Sequence, residues 1–209
     1  MGHDKMWAVV AHDYGDFRLE KVDIPAVGDG DILVRVVSSG ICASDRKLYL
    51  GGNRLWKFNF PFIVGHEFAG EIVRIGGKAA QRTGLKLGDM AVAEILIPCR
   101  ECFYCRQGLY HLCLNRKPCG GGWAEYALFP EGALVWKIPP MDSPEKAALV
   151  EPLGCAIHAV ERGSVKPSDT VVVSGLGAIG LMIVQVLKLQ HPKCIIGVDV
   201  RKPMLELAK

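Results

Sequence analysis

Four of the chain's eight cysteines fall within fifteen residues, spaced Cys99-x2-Cys102-x2-Cys105-x7-Cys113. Four thiolates at such spacing can close a tetrahedral shell around one ion and leave no position for water or substrate, which is the chemistry of a structural zinc site. Iron–sulfur ligation is the rival. The bacterial cluster run, however, ends in a three-residue gap and a proline, whereas here seven residues precede Cys113 and Leu114 follows it. Arg100, Glu101, Arg106 and Gln107 mark the segment as an exposed loop, where unpaired thiols are a liability. Cys119, Cys155 and Cys194 stand singly, and each reads as a small buried hydrophobe.

A second stretch with chemical capacity is VVVSGLGAIG. Gly175-x-Gly177-x-x-Gly180 follows a β-branched run at Val171 to Val173 and opens a helix expected from about Ala178 to Gln190. Another strand, at about Cys194 to Val198, ends at Asp199, nineteen residues beyond the last glycine. This is the context a dinucleotide needs. Gly175 permits the tight turn, Gly177 lets the backbone approach a pyrophosphate, and Gly180 lets the helix sit close to the strand. Asp199 is placed to bind the ribose hydroxyls and repel a 2′-phosphate, so NAD is expected over NADP, while the nearby Arg201 could accommodate that phosphate. Three further places carry ligand-type residues: Cys42 in GICASD, His66 and Glu67 in VGHEFAG, and Glu151 in VEPLG. Taken singly, none is convincing, since a lone histidine or glutamate is more often a hydrogen-bonded structural group than a ligand.

The elements that must position these residues read as follows. Up to about Leu149 the chain alternates short β segments, WAVVA, FRLEKV, ILVRVVS, GEIVRI, MAVAEIL and EYALF, with turn residues between them, so an all-β, barrel-like domain is expected. After Pro144 the pattern becomes helical, EKAALVEPLGCAIHAVERG, and a βαβ unit follows.

Half of the 209 residues are hydrophobic, enough for a core. The net charge of +3 comes from 25 basic and 22 acidic residues dispersed along the chain, which argues against a nucleic-acid surface. No apolar run has the length of a membrane span, and MGHDKMWAVV lacks the features of a signal peptide. A cytoplasmic, reducing location is expected, where clustered thiols bind metal.

Taken together and in this order, GICASD, FPFIVGHEFAGEIVRIG, LKLGDMAVAE, the cysteine lobe, GGWAEYALFPEGALVWKIP, EKAALVEPLGCAIHAV and VVVSGLGAIG resemble the zinc-containing medium-chain alcohol and polyol dehydrogenases, sorbitol dehydrogenase-like members included. The resemblance runs from about Lys5 to Lys209. It implies an α/β architecture: a GroES-like β-barrel catalytic domain over residues 1–155, then the first part of a Rossmann NAD-binding domain over 156–209. It also implies two zinc ions. The cysteine lobe corresponds to the structural one, and Cys42, His66 and Glu151 look like ligands of the catalytic one, with Glu67 as an alternative ligand or an outer partner. His66 and Glu67 are adjacent, so both can reach one ion only if the backbone turns, which Gly65 could allow. One thiolate and one carboxylate around a divalent ion leave a neutral core able to polarise an alcohol.

By the same resemblance Ser44 takes the alcohol's proton as hydride passes to the nicotinamide. Asp45 either orients a ligand histidine or simply caps a turn. Lys47 stands where many relatives carry a proton-relaying histidine. The segment AVAEILIP lacks the Gly-His pair of threonine dehydrogenases, and glutamate at the third ligand position differs from the cysteine of ethanol-oxidising relatives. A polyol or other secondary alcohol is therefore the expected substrate, in a homodimer or homotetramer when complete. The alternatives are a zinc-stabilised binding module without redox activity and a threonine dehydrogenase-like enzyme. PMLELAK reads as an unfinished second helix, so the 209 residues are expected to be part of a longer protein, binding zinc alone but neither holding NAD nor oxidising a polyol.

Overall fold

The computed structural model describes residues 4–52 and 58–209, which fall into two compact units, Met1–Glu151 and Pro152–Lys209. In the first, β1 (Lys5–Asp13) and β2 (Asp16–Asp23) form an antiparallel hairpin. Met6, Ala8 and Val10 alternate inward along β1 and are buried, the period of two that a half-buried strand requires. The remaining strands of this unit are β3 (Ile32–Ser39), β4 (Phe62–Ile63), β5 (Phe68–Ile75), β6 (Met90–Ala93), β7 (Leu96–Ile97), β8 (Lys117–Pro118), β9 (Tyr126–Phe129) and β10 (Val135–Lys137).

A five-stranded antiparallel sheet runs β10-β6-β5-β3-β9, and β4 joins the hairpin in the order β2-β1-β4. The central β3 is buried along Ile32, Leu33 and Val34, and its core partners include Ile72, Ala91, Ala127 and Phe129. Between Val36 and Ser38 its register against β5 shifts, which bends the strand just before it enters GICASD. Among the described residues, three short α-helices accompany the sheets: α1 (Ala43–Tyr49), α2 (Gly77–Thr83) and α3 (Phe103–Arg106).

The single strand expected over MAVAEIL is two strands. Glu94 leaves the ladder, its amide donating to the Leu134 carbonyl at 2.9 Å, and β7 pairs with β8 instead.

Helix α4 (Val150–Gly163) carries the division between the units, after a 3-10 turn over Pro144–Leu149. In the second unit β11 (Thr170–Ser174) and β12 (Cys194–Val198) are parallel and in register from Thr170↔Cys194 to Ser174↔Val198. Helix α5 (Ala178–Leu189) connects them, and α6 (Lys202–Leu207) follows. Val160, Val173, Leu176, Val184 and Leu187 form the core. Val172 and its partner Ile196 alternate to the face away from that core and remain 60% and 46% exposed. Cys155 and Cys194 are exposed as well, contrary to the expectation of buried hydrophobes, whereas Cys119 is buried and its thiol is pushed up to about 12 by burial. Among the described residues, no helix is long and apolar enough to cross a membrane.

Candidate functional site

The sulfurs of Cys99, Cys102, Cys105 and Cys113 all lie within 4.8 Å of one another, with Cys99 and Cys105 3.9 Å apart. Backbone amides are aimed at them. The Cys99 amide donates to Cys113 Sγ at 3.3 Å and the Cys102 amide to Cys99 Sγ at 3.4 Å. Arg100 adopts a left-handed φ of 65° between these amides, and its guanidinium donates to the Gly132 carbonyl at 3.0 Å. That conformation is costly for a residue with a Cβ and persists only where its surroundings enforce it.

The segment is the expected exposed loop, with Arg100, Glu101, Arg106 and Gln107 all at the surface, and within it α3 (Phe103–Arg106) and a 3-10 turn (Tyr110–Leu112) turn Cys105 and Cys113 inward, where both are buried. The amides of Cys105 and Leu114 lower the Cys102 thiol to about 6, and those of Cys99 with Asn115 lower Cys113 as well. Burial pushes Cys105 in the opposite direction, to about 12. Four converging sulfurs with amide donors around them suit a closed tetrahedral ion.

The second cluster is built at the first turn of α1. Cys42 is its N-cap, with extended backbone (φ −77°, ψ 153°), and the Asp45 carboxylate three residues on accepts the Cys42 amide at 2.8 Å. The other Asp45 oxygen lies 3.4 Å from His66 Nδ1. Asp45 is 6% exposed. Its hydrogen bond is the main reason the His66 imidazole is raised from 6.5 to about 9, with burial opposing. Gly65 turns the backbone with a φ of +90°, and the ligand atoms of Cys42, His66 and Glu67 come within 4.8 Å of one another.

Glu151, in the first turn of α4, is not part of that triplet, although the same charges act on it. Burial raises its carboxyl above the ordinary range. His66 opposes that rise, while Glu67, Glu94 and Asp45 add to it. Sequence reasoning did not single out Glu94; its only signal was the interruption of alternation in AVAEIL. Ser44 occupies the same first turn of α1 as Asp45, and Lys47 is exposed further along that helix. A thiolate, an imidazole and carboxylates are the donor set of an open divalent site.

In the second unit Gly175 has a φ of +91° and its amide donates to the Val198 carbonyl at 2.7 Å, joining the turn to the end of β12. Gly177 is the N-cap of α5. Gly180 sits so near the turn that a Cβ there would overlap the Gly175 carbonyl oxygen, so helix and strand meet only without a side chain. Asp199 accepts the amides of Leu176 and Arg201, both at 2.8 Å. The Arg201 guanidinium binds the same carboxylate at 3.1 and 3.2 Å and is the first reason its pKa lies well below the usual carboxylate range.

A barrel-like antiparallel unit bearing two cysteine-containing clusters, followed by a βαβ unit with a glycine turn, is a dehydrogenase architecture. The model of the alcohol dehydrogenase GroES-like domain matches residues 28–140, and the chain belongs to that family. It is 42% identical to an erythritol/L-threitol dehydrogenase of Mycolicibacterium smegmatis, over 99% of this chain and 60% of that protein. A zinc-binding dehydrogenase of Sinorhizobium meliloti 1021, solved with NADP, superposes with a TM-score of 0.90 at 32% identity, over 98% of this chain and 59% of that one. An alcohol dehydrogenase of E. coli CFT073 complexed with NADH gives a TM-score of 0.86 at 31% identity, over 99% and 60%. The chain thus spans about 60% of the length of these relatives. Its fold is a GroES-like barrel followed by the opening βαβα portion of a Rossmann domain.

Proposed function

We propose that the protein carrying this chain is a zinc- and NAD-dependent oxidoreductase of a polyol or another secondary alcohol. Residues 1–155 act as the catalytic domain and 156–209 as part of the nucleotide-binding domain. The observation that carries this reading is the second cluster, in which Cys42, His66 and Glu67 converge within 4.8 Å and Asp45 stands behind His66. A binding module needs only the closed cysteine lobe and has no use for a second, open donor set.

Cys99, Cys102, Cys105 and Cys113 would hold a structural zinc, while Cys42 and His66 with Glu67 or Glu151 would hold a catalytic one. When bound, the catalytic ion supplies Lewis acidity that brings the pKa of a coordinated hydroxyl to about 7. Ser44, in the first turn of α1, would accept the substrate's hydroxyl proton, and Asp45 would orient the His66 ring through Nδ1. One of Glu67 and Glu151 would ligate; burial raises the Glu151 carboxyl, which disfavours a second negative charge beside the first.

Gly175, Gly177 and Gly180 would provide backbone for a pyrophosphate, and Asp199 would bind the adenosine ribose. Because Asp199 engages the Arg201 guanidinium on two atoms, that cation is less available to a 2′-phosphate, which favours NAD. The erythritol/L-threitol relative supports a polyol as substrate. The reading also places the protein in the cytoplasm, as a homo-oligomer. Two measurements test it: zinc per chain, expected at two, and a polyol screen for NADH formation by the complete enzyme. One zinc per chain with no NADH from any polyol would defeat it.

A further inference from the structure

The two stretches that bring ligands to the second cluster, Gly40 to Cys42 after β3 and Gly65 to Glu67 between β4 and β5, meet a third segment, Gly121 to Trp123. The Gly121 and Gly122 amides both donate to the Gly65 carbonyl, at 2.9 and 3.0 Å, and the Trp123 amide donates to Val64 at 2.9 Å. The Trp123 carbonyl in turn accepts the Val9 amide at 2.8 Å, anchoring this segment to β1. The indole Nε1–H crosses to the Gly40 carbonyl at 2.9 Å, and the Gly40 amide donates to the Glu67 carbonyl at 2.6 Å. On the Gly65 side, the indole ring lies so close that a Cβ on Gly65 would overlap it.

The Gly40 stretch is held at one end by its amide bond to Glu67 and at the other by the Cys42 amide's bond to Asp45, and the indole fixes the carbonyl between them. Gly40 has no side chain and wide backbone freedom, and Ile41 is 77% exposed. Trp123 itself packs against the buried cluster of Ala11, Leu48 and Val64, edge-on to Phe17. Its position is therefore defined independently of the ligands.

We propose that Trp123 is a positioning residue for the second cluster: through the Gly40 carbonyl and the face it lays on Gly65, it sets the separation of Cys42 from His66. This rests on reading Cys42, His66 and Glu67 as a zinc site. Donor distances in such sites must be right to within about 0.2 Å, so a ligand stretch released at one point binds the ion less well.

The test compares the metal-stripped 209-residue chain with Trp123→Phe, which keeps a ring and loses the N–H. Val64→Ala, which thins the same aromatic cluster and keeps the indole bond, is the control. Zinc affinity is read by chelator competition, and Co(II) is used for the thiolate-to-metal absorption band. In Trp123→Phe the cysteine-lobe ion should be unchanged, the second ion should bind about tenfold more weakly and its Co(II) band should shift. Val64→Ala should show neither change.

Equal competition by Trp123→Phe and the native chain would overturn the proposal, as would an equal loss in Val64→Ala. Should Trp123→Phe fail to fold, the native chain still decides. One of the indole N–H resonances of its four tryptophans should move as the second equivalent of zinc enters, and four unmoved resonances would refute the idea. A native chain that takes only one zinc overturns the reading of the site and this inference with it. Two zinc ions with an indifferent Trp123→Phe overturn the inference alone.

Discussion

The carboxylate of Asp45 joins two candidate ligands at once: one oxygen accepts the Cys42 amide at 2.8 Å and the other lies 3.4 Å from His66 Nδ1. The two functions the sequence left as alternatives, capping a turn and orienting a histidine, are geometrically compatible in one side chain. Asp45→Asn keeps an oxygen for the cap and loses the charge facing His66. It is expected to fold normally and to weaken zinc at the second cluster by about tenfold to a hundredfold, without disturbing the cysteine lobe. Chelator competition on the two ions separately checks this; unchanged affinity for the second ion would remove Asp45 from the site.

The second ion should show a pH dependence that the His66–Asp45 pair dictates. An imidazole raised to about 9 must release its proton before it can ligate, so zinc affinity at this cluster should climb as pH rises toward 9 and then level off. Stability of the metal-free chain should move the other way. The folded-state pKa lies above the ordinary 6.5, so the contribution of the pair is complete below 6.5 and is lost as pH rises through about 9. Thermal melts of metal-free protein across that window should decline less in Asp45→Asn; identical slopes would contradict the assignment.

Cys102→Ser should act on stability first. It breaks a closed four-sulfur shell whose amide donors and left-handed Arg100 are arranged around the sulfurs. A fall in Tm on the order of 10 °C, with loss of one zinc per chain, is expected. An unchanged melting temperature would show that the lobe holds itself together without metal.

Asp199→Ala should weaken the preference for NAD. The substitution removes the carboxylate's repulsion of a 2′-phosphate and releases the Arg201 guanidinium it now engages at 3.1 and 3.2 Å. In the complete enzyme, the ratio of kcat/KM for NADP over NAD should rise at least about tenfold, corresponding to about 1.4 kcal/mol. A native enzyme that already uses both cofactors equally would show that Arg201 outweighs Asp199.

Glu67→Gln and Glu151→Gln distinguish the two carboxylates at the second cluster. Glu67 is the one grouped with Cys42 and His66, so its amide variant should lose at least about tenfold in zinc affinity there, as for removal of a ligand or its partner. Glu151→Gln, replacing a carboxyl that burial already drives toward its neutral form, should lose less. The reverse order, read by the same competition assay, would make Glu151 the ligand.

Wherever function depends on spacing along the chain, the sequence alone was enough. Cys99, Cys102, Cys105 and Cys113 are close because a short loop cannot carry them far apart, and Gly175, Gly177, Gly180 and Asp199 fall where one strand, one helix and one more strand must put them. The β period likewise located most of β1, β2, β3, β5 and β9, because alternation reports directly which side chains face a core. It missed the break at Glu94, the two-residue strands β4, β7 and β8 and the three-residue β10. Those are set by the partner across the ladder and carry too few residues to show a period.

The tertiary structure alone decided what links positions distant in sequence. That Asp45 addresses both Cys42 and His66, that Glu67 and not Glu151 joins them within 4.8 Å, and that Trp123 reaches Gly40 across eighty-three positions follow from strand pairing and from the turn at Gly65. No local rule contains them. A side chain's neighbours along the chain are fixed by covalent geometry, whereas its neighbours across a sheet depend on how the whole unit buries its apolar faces.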